Sequence, residues 1–362
     1  MNKLSNYYKN KKILITGHTG FKGAWLSLAL SNFGAKILGI SKNIPTSPSL
    51  YAATKLNKKI NTKFLDIKDL NKLKKVIKKF NPDIIFHLAA QSLVKKSFLK
   101  PVETFSTNSI GTLNILESIR DLKKKCNIII ITSDKCYENR EVKKGYKETD
   151  RFGGKDPYSA SKASAEIILY SYFNSFIKKK DNLRISIARA GNVVGGGDWS
   201  DHRLVPDIIK SWSKNKTVNI RNLKSTRPWQ HVLEAIFGYL LLCYKLNKKK
   251  NLNGEAFNFG PSGNYNYSTK EVLEKLKILW PKKSKIKVKK NFNITESTLL
   301  KLNCTKAKKK LSWVPILNFN STFNLTISWY INFYLKRKKN IYNFSKNQID
   351  RYLVNFLKKN RL

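Results

Sequence analysis

Short apolar runs alternate with stretches of helical period through the first half of the chain, and that alternation leaves few folds open. Residues 12–16 read KILIT and lead into the helical pattern FKGAWLSLALSNFG (21–34). AKILGIS (35–41) and NTKFLD (61–66) follow as strands, then DIKDLNKLKKVIKKF (66–80) as a helix and PDIIFHLA (82–89) as a strand. VETFSTNSIGTLNILESIR (102–120), IIIIT (128–132), SASKASAEIILYSYFNSFI (159–177) and RISIARA (184–190) continue the alternation. Strands and helices in this rhythm predict right-handed βαβ units, an α/β class, and a doubly wound parallel sheet with helices on both faces. Ligands bind such sheets at the carboxyl ends of the strands.

Two of those ends carry unusual chemistry. KILIT runs into Gly17, His18, Thr19, Gly20, Phe21, Lys22 and Gly23 and then into a helix. Glycines at that spacing let the backbone turn tightly and approach a pyrophosphate, which sits on the helix N-terminus. The sheet is therefore expected to be Rossmann-type. His18 and Lys22 are placed to add charge to the same phosphates, or Lys22 to stand in solvent. Asp66 stands where it reaches an adenine amino group or caps a helix. The acidic residue expected about 20 positions beyond the glycines to hold the adenosine ribose is missing, because AKILGIS ends in Ser41 and Lys42. A cation there leaves NADP open beside NAD.

The second end is stranger. The four isoleucines 128–131 run into Thr132, Ser133, Asp134, Lys135 and Cys136, and a buried carboxylate or ammonium is costly unless paired or at work. Tyr158 and Lys162 form YSASK, one turn apart at the start of a helix, so that the ammonium can lower the phenol from its usual pKa of about 10. With the Ser133 hydroxyl they make a general base, its electrostatic support and a group to hold a substrate alcohol.

GHTGFKG, HLAAQS, Asn108, TSDKCYENREV, GGKDPYSASKASAE, RAGNVVGGGDW and STRPWQHV together resemble the extended short-chain dehydrogenase/reductase family over about residues 10 to 320. Within it they are most similar to the nucleotide-sugar 4,6-dehydratases, and above all to the branch that acts on CDP-glucose. The resemblance implies NAD as cofactor, held by Gly17, His18, Gly20, Phe21, Lys22, Gly23, Asp66, Ile67, Ala89, Ala90, Asn108, Tyr158 and Lys162. It implies a catalytic set of Ser133, Asp134, Lys135, Tyr158 and Lys162, and substrate contacts from Gln91, Asn192 and Arg227. In the implied reaction Tyr158 takes the C4 hydroxyl proton as hydride leaves C4. Water then departs across C5 and C6 with Asp134 as acid, and the hydride returns to C6. Lys135 stands where most of the wider family has Glu. Three roles stay open for it: base at C5, ammonium stabilising the enolate, or salt bridge to Asp134. Asn192 is expected on the diphosphate. Arg227 is either a second phosphate ligand or a salt bridge packed on Trp229, Gly195–Gly197 a turn into a second lobe, and Cys136 packing.

After residue 190 the pattern changes to a Gly/Trp-rich loop, shorter elements and the Pro/Gly-marked NFGPSGNYN (258–266). The expected division is a NAD-binding Rossmann domain of residues 1–190 plus about 218–250, and a smaller C-terminal substrate-binding lobe of about 191–217 plus 251–362. FNLTISWYINFYLKRKK reads as a packed amphipathic helix or a membrane-surface helix.

Composition narrows the partners. The formal charge of +48 invites a nucleic-acid surface, yet only 11 of the 71 basic residues are arginine and the lysines run through the whole chain, so a solvated lysine surface is expected and no nucleic-acid partner. No run of 18 apolar residues exists and MNKLSNYYKNKKILITG lacks an apolar leader, which predicts a cytoplasmic protein without membrane insertion. Cys126, Cys136, Cys243 and Cys304 have neither metal-ligand nor disulfide spacing, so reduced thiols and no metal are expected. The resemblance adds a homodimer, and deoxysugar synthesis for surface polysaccharide. Its rivals are a nucleotide-sugar 4-epimerase, a dehydratase of dTDP-glucose or GDP-mannose, and a catalytically idle scaffold binding dinucleotide or nucleic acid.

Overall fold

Burial on both faces selects the central strands. In the computed structural model, which describes residues 2–220, 222–261, 266–282, 284–288, 299–336 and 340–361, the runs Ile84–His87, Cys126–Ile131 and Leu183–Ala190 are buried at every residue. That is the pattern of a parallel strand covered by helices on each side. Seven strands form the sheet: β1 (Lys12–Thr16), β2 (Lys36–Ser41), β3 (Asn61–Phe64), β4 (Ile84–His87), β5 (Cys126–Ile131), β6 (Leu183–Ala190) and β7 (Ala256–Phe259). Their spatial order is β7-β6-β5-β4-β1-β2-β3, parallel throughout. The order reverses between β1 and β4, and a crevice opens at the carboxyl ends there.

The main helices are α1 (Phe21–Asn32), α2 (Leu70–Phe80), α3 (Gly111–Ile119), α4 (Pro157–Tyr172), α5 (Leu204–Ser213), α6 (Val232–Lys248), α7 (Phe319–Tyr334) and α8 (Ile341–Asn360). Two cores cover the sheet. Trp25, Phe237, Trp329, Tyr330 and Phe356 belong to one, with Ile129 and Ile131 of β5. Val76, Ile77, Ile115, Leu116 and Leu169 belong to the other, with Ile128 and Ile130. The isoleucine run is apolar without alternation because each face of the strand meets a different core.

Two sequence expectations change here, and one of two open alternatives is met. Residues 102–120 are not one α-helix: Pro101–Phe105 passes through a wider π-type turn at Ser106–Ile110 before α3 begins. Within 218–250, α6 packs on β5 and β6, but Val218–Ile220 pairs with Ile286–Val288 away from the sheet. The seventh strand comes instead from 256–259, inside a stretch assigned to the smaller lobe, where Phe257 and Phe259 are fully buried. Its four residues, set between Gly254 and Gly260, are too short to stand out as a strand. Finally, α7 turns Phe323, Ile327, Trp329 and Tyr330 into the core, so the aromatic stripe is packing. Among the described residues no helix is long and apolar enough to cross a membrane. Residues 262–265 of NFGPSGNYN and 337–339 of the LKRKK run lie outside the described residues.

Candidate active site

The carboxyl ends of β1, β4 and β5 meet the N-termini of α1 and α4. At β1, Gly17 has φ +76°, and a Cβ there would lie 2.7 Å from the backbone nitrogen of Ala89. A Cβ on Gly23 would lie 2.1 Å from the Gly17 carbonyl oxygen, and the Gly20 amide donates to that same oxygen at 3.1 Å. Only glycines let this turn lie flat against residues 88–89 and under the start of α1, which leaves the helix N-terminus open to the crevice. A dinucleotide pyrophosphate fits this cradle.

The flanking side chains divide into those that face the crevice and those that brace it. His18 braces: it is buried, with Nδ1 2.9 Å from Ser41 Oγ and Nε2 3.1 Å from Thr62 Oγ1. Burial pulls its pKa down to about 4, so it is neutral and brings no charge to a phosphate, contrary to the sequence expectation. Lys22 is half-buried rather than solvated. Burial pulls it down to about 8, helped by Arg203 and opposed by Asp134, which places its ammonium on the site. The Phe21 ring reaches across to Gly195, whose Cβ would lie 3.2 Å from it.

Asp66 accepts from the Lys68 amide at 3.0 Å and pairs with Lys42 at 3.3 Å; the cap of α2 is Asp69, not Asp66. Lys42, the cation that left NADP open, is therefore engaged by a carboxylate. Ile67 is buried where a Cβ on Gly111 would strike it at 2.5 Å. The Ala89 amide donates to Thr16 Oγ1 at 3.2 Å, and Ala90 follows it along the crevice. Asn108 sits in the π-type turn, accepting from the Gln91 amide at 2.8 Å and donating to Ser161 Oγ at 2.8 Å. Gln91 differs from its expected substrate role. Its side chain is spent on Leu93 and Thr104, at 2.7 to 3.0 Å, so it shapes the 88–93 loop instead.

At the end of β5 the chain enters a 3₁₀ turn, Asp134–Cys136, capped by Ser133. Ser133 Oγ donates to Asp134 Oδ1 at 2.8 Å, and the Lys135 amide donates to Ser133 Oγ at 3.3 Å. Asp156 caps α4 by accepting from the Ser159 amide at 3.0 Å, and Pro157 starts the helix. That fixes Tyr158 beside Ser133, with Lys162 one turn on, and both side chains are buried. Burial pushes Tyr158 up to about 12, with the Ser133 hydrogen bond opposing. The sequence expectation is a phenol lowered by Lys162; here burial raises it, and the Ser133 hydrogen bond and the Arg203 charge are what oppose burial. Lys162 is itself pulled down by burial to about 8, with Glu166 pulling back. Asp134 is raised by burial, against Lys135 first, then the Ser133 hydrogen bond, Lys22 and Arg227. The site thus holds a carboxyl that burial raises against the charges of Lys135, Lys22 and Arg227, next to a tyrosine–lysine pair.

The turn after β6 closes over this cluster: a Cβ on Gly191 would lie 3.1 Å from Asp134 Oδ2, and Asn192 follows directly. Val193–Val194 pairs with Gln230–His231, and Thr226–Arg227 pairs with Tyr267–Ser268. Those short ladders bring the Arg227 charge to bear on Asp134. Trp229 packs on Phe323 and donates to the Tyr267 carbonyl at 3.2 Å. Gly195–Gly197 do more than turn: Gly196 lies against the Trp329 ring, 2.0 Å from where a Cβ would fall, and Gly197 has φ +83°. Arg203 was missed in the sequence. It pairs with Asp198 at 3.0 Å and its charge acts on Tyr158 and Lys22, but no motif spacing marks it. The four cysteines are free, with Cys136 fully buried, and among the described residues no His/Cys/Asp/Glu group could hold a metal.

Residues 14–326 match the family described as GDP-mannose 4,6 dehydratase. A CDP-glucose 4,6-dehydratase from Salmonella typhimurium is 40% identical over 329 residues, covering 90% of this chain and 92% of its own length. Among solved structures, the epimerase Mth375 from Methanothermobacter thermautotrophicus has a TM-score of 0.78 at 23% identity, over 93% of this chain and 97% of its own. DesIV, a dTDP-glucose 4,6-dehydratase from Streptomyces venezuelae with NAD and TYD bound, has a TM-score of 0.74 at 19% identity, over 90% and 100%. At those identities both structures speak for the fold.

Proposed function

The chain belongs to the GDP-mannose 4,6 dehydratase family, and from that premise we propose that it is an NAD-dependent hydro-lyase converting CDP-glucose to CDP-4-keto-6-deoxyglucose. The observation that carries this reading is the buried, raised carboxyl of Asp134 beside Tyr158 and Lys162, in a chain 40% identical to a CDP-glucose 4,6-dehydratase. An epimerase needs the tyrosine–lysine pair but no acid at C6.

NAD, when bound, supplies reversible hydride storage between C4 and C6. Gly17, Gly20, Gly23 and the first amides of α1 hold its pyrophosphate, with Asp66, Ile67, Ala89 and Ala90 along the crevice. Tyr158 accepts the C4 hydroxyl proton. Because burial holds its phenol up, the phenolate depends on the Lys162 ammonium and the Ser133 hydroxyl. The C4 ketone acidifies C5–H. Asp134 delivers its proton to the departing C6 hydroxyl, a role that the upward push of burial on its carboxyl favours. Lys135, on the same turn, serves C5, taking its proton or stabilising the enolate. Asn192 and Arg227 face the diphosphate of the sugar nucleotide, and the Lys22 ammonium at the start of α1 serves the phosphates of the cofactor. The division of labour follows the sheet: β1–β7 with α1–α4 and α6 hold the cofactor, and the remaining elements hold the sugar nucleotide.

A homodimer is part of the reading. Phe98, Leu99, Val102, Phe105, Ile110, Ile167 and Tyr170 are exposed on the helices 94–119 and α4, and Pro101, Val102, Phe105 and Ile110 line one shallow apolar hollow with Ser164. A contiguous apolar patch of that kind marks an interface. Sedimentation should give twice the 41.7 kDa chain mass, and a Val102→Glu variant should shift toward monomer. A wild-type monomer would remove the dimer from this reading. A cytoplasmic setting suits the free cysteines, and the product class suits deoxysugar synthesis for surface polysaccharide.

The test is mass spectrometry of CDP-glucose incubated with the protein and NAD, with dTDP-glucose and GDP-mannose in parallel. Loss of one water from CDP-glucose alone is expected. Interconversion of glucose and galactose forms, separated by chromatography because they share one mass, without water loss would replace the dehydratase by a 4-epimerase.

A further inference from the structure

Beneath the catalytic turn lies an ion pair that the reaction does not use. Arg189 of β6 grips Glu166 of α4 with two parallel hydrogen bonds, Nε to Oε1 at 2.8 Å and Nη2 to Oε2 at 3.0 Å, and the two side chains are 3% and 1% exposed. Burying such a pair costs desolvation that hydrophobic residues of the same volume would not incur, so its presence calls for a role beyond stability.

Its further bonds point to that role. Thr132 Oγ1 donates to Glu166 Oε1 at 2.5 Å, and Arg189 Nη1 donates to the Tyr137 hydroxyl at 2.7 Å. Thr132 and Tyr137 are the residues immediately before and after the segment Ser133–Cys136. The pair therefore holds that segment at both ends. Glu166 lies one turn beyond Lys162 on α4, in line with Tyr158 and Lys162, so the carboxylate that receives Thr132 sits on the same helix face as the tyrosine–lysine pair. The Tyr137 hydroxyl passes the connection on to Asn258 Oδ1 of β7 at 2.8 Å, and the Arg189 guanidinium lies 5.1 Å and 4.9 Å from the ring centres of Tyr137 and Phe152. Glu166 also pulls the buried Lys162 back toward its charged form.

We propose that the Glu166–Arg189 pair is a positioning clamp that, through Thr132 and Tyr137, fixes the Ser133–Asp134–Lys135 turn against Tyr158 and Lys162. None of the four clamp residues touches substrate. They set where the acid and the serine hydroxyl stand relative to the base, and the catalytic part of this inference rests on the dehydratase reading above.

Replacing Glu166 or Arg189 would leave a buried charge unpaired and risks unfolding, so the variants of choice are Thr132→Val and Tyr137→Phe, which keep the ion pair and nearly the same shape. Hydrogen exchange needs no substrate. Amides 133–137 should exchange faster in both variants while the rest of the sheet is unchanged, and Thr132→Ser should restore protection. In turnover of CDP-glucose, kcat should fall on the order of 10²-fold with KM moved less than about threefold, since a misplaced group costs the chemical step more than binding. Thr132→Ser should recover kcat as well. Unchanged exchange at 133–137 in both folded variants overturns the clamp. So does faster exchange with wild-type kcat in a protein that converts CDP-glucose. If the wild-type chain leaves CDP-glucose untouched, the dehydratase reading falls, and the exchange result alone decides the clamp.

Discussion

Two buried carboxylates contrast a structural acid, Glu234, with the one we propose as catalytic, Asp134. Glu234 opens α6, and its Oε1 accepts the Ile316 amide at 2.8 Å and the Leu317 amide at 2.6 Å, while Oε2 accepts the Tyr352 hydroxyl at 2.7 Å. Three donors from the surrounding fold, all neutral, fill it. Asp134 receives one side-chain hydrogen bond, from Ser133, and looks onto the charges of Lys135, Lys22 and Arg227. Burial raises both. The difference lies in what opposes burial: neutral hydrogen-bond donors at Glu234, chiefly the charges of Lys135, Lys22 and Arg227 at Asp134. A carboxyl of the first kind ties elements together. One of the second kind retains room to give up a proton.

The largest expected effect breaks the comparison on the catalytic side. Asp134→Asn should lower dehydration of CDP-glucose on the order of 10²- to 10⁴-fold, the range for losing a general acid, while the protein folds normally. Its melting temperature at neutral pH should hold or rise. The folded form favours a protonated Asp134, so this group's contribution to stability is present at low pH and is lost as pH rises through its raised value. Lys135→Ala should lose less, and in a way that separates the steps: C4 oxidation persists, seen as transient absorbance of reduced nicotinamide, while keto-sugar release drops. Equal loss of both steps would return Lys135 to a structural partner of Asp134.

Much of this contrast was legible in the sequence at the Asp134 pole and almost none at the other. The carboxyl end of a strand is a fixed address in a parallel sheet, so IIIITSDK, the GxxGxxG turn and YSASK could be placed together from local pattern alone. The bracing residues could not. His18 and Gln91 look like ligands in sequence, yet their partners Ser41, Thr62 and Thr104 come from other elements, and only packing reveals that their hydrogen bonds are already made. Arg189 reads as the first letter of RAGNVV, while its partner Glu166 lies 23 residues earlier in a helix. Glu234 bonds groups 82, 83 and 118 residues away. The short strand β7 escaped for a related reason: four residues between glycines carry little period, and their assignment depends on the edge that β6 offers.

The smallest effect on activity should come from Glu234, and it sharpens the comparison because its effect on stability is not small. Burial pushes this carboxyl up from its ordinary 4.5 to about 7, against the three hydrogen bonds it accepts. A folded pKa above the unfolded one means that the group's stabilising contribution is complete below about 4.5 and is lost as pH climbs toward 7. At about 1.4 kcal/mol per pH unit, a rise from 4.5 to about 7 amounts to a loss on the order of 3 kcal/mol. Glu234→Gln keeps an acceptor for the Ile316 and Leu317 amides and a polar partner for Tyr352 but cannot ionise. Denaturant unfolding between pH 4.5 and 8 should therefore show a flatter stability profile for Glu234→Gln than for wild type, with kcat unchanged. A profile as steep as wild type would mean that Glu234 is not the group titrating in this window. A fall in kcat would mean that the junction of α6 with α8 is not separable from the site, and that filling a carboxylate with fixed donors does not by itself mark it as structural.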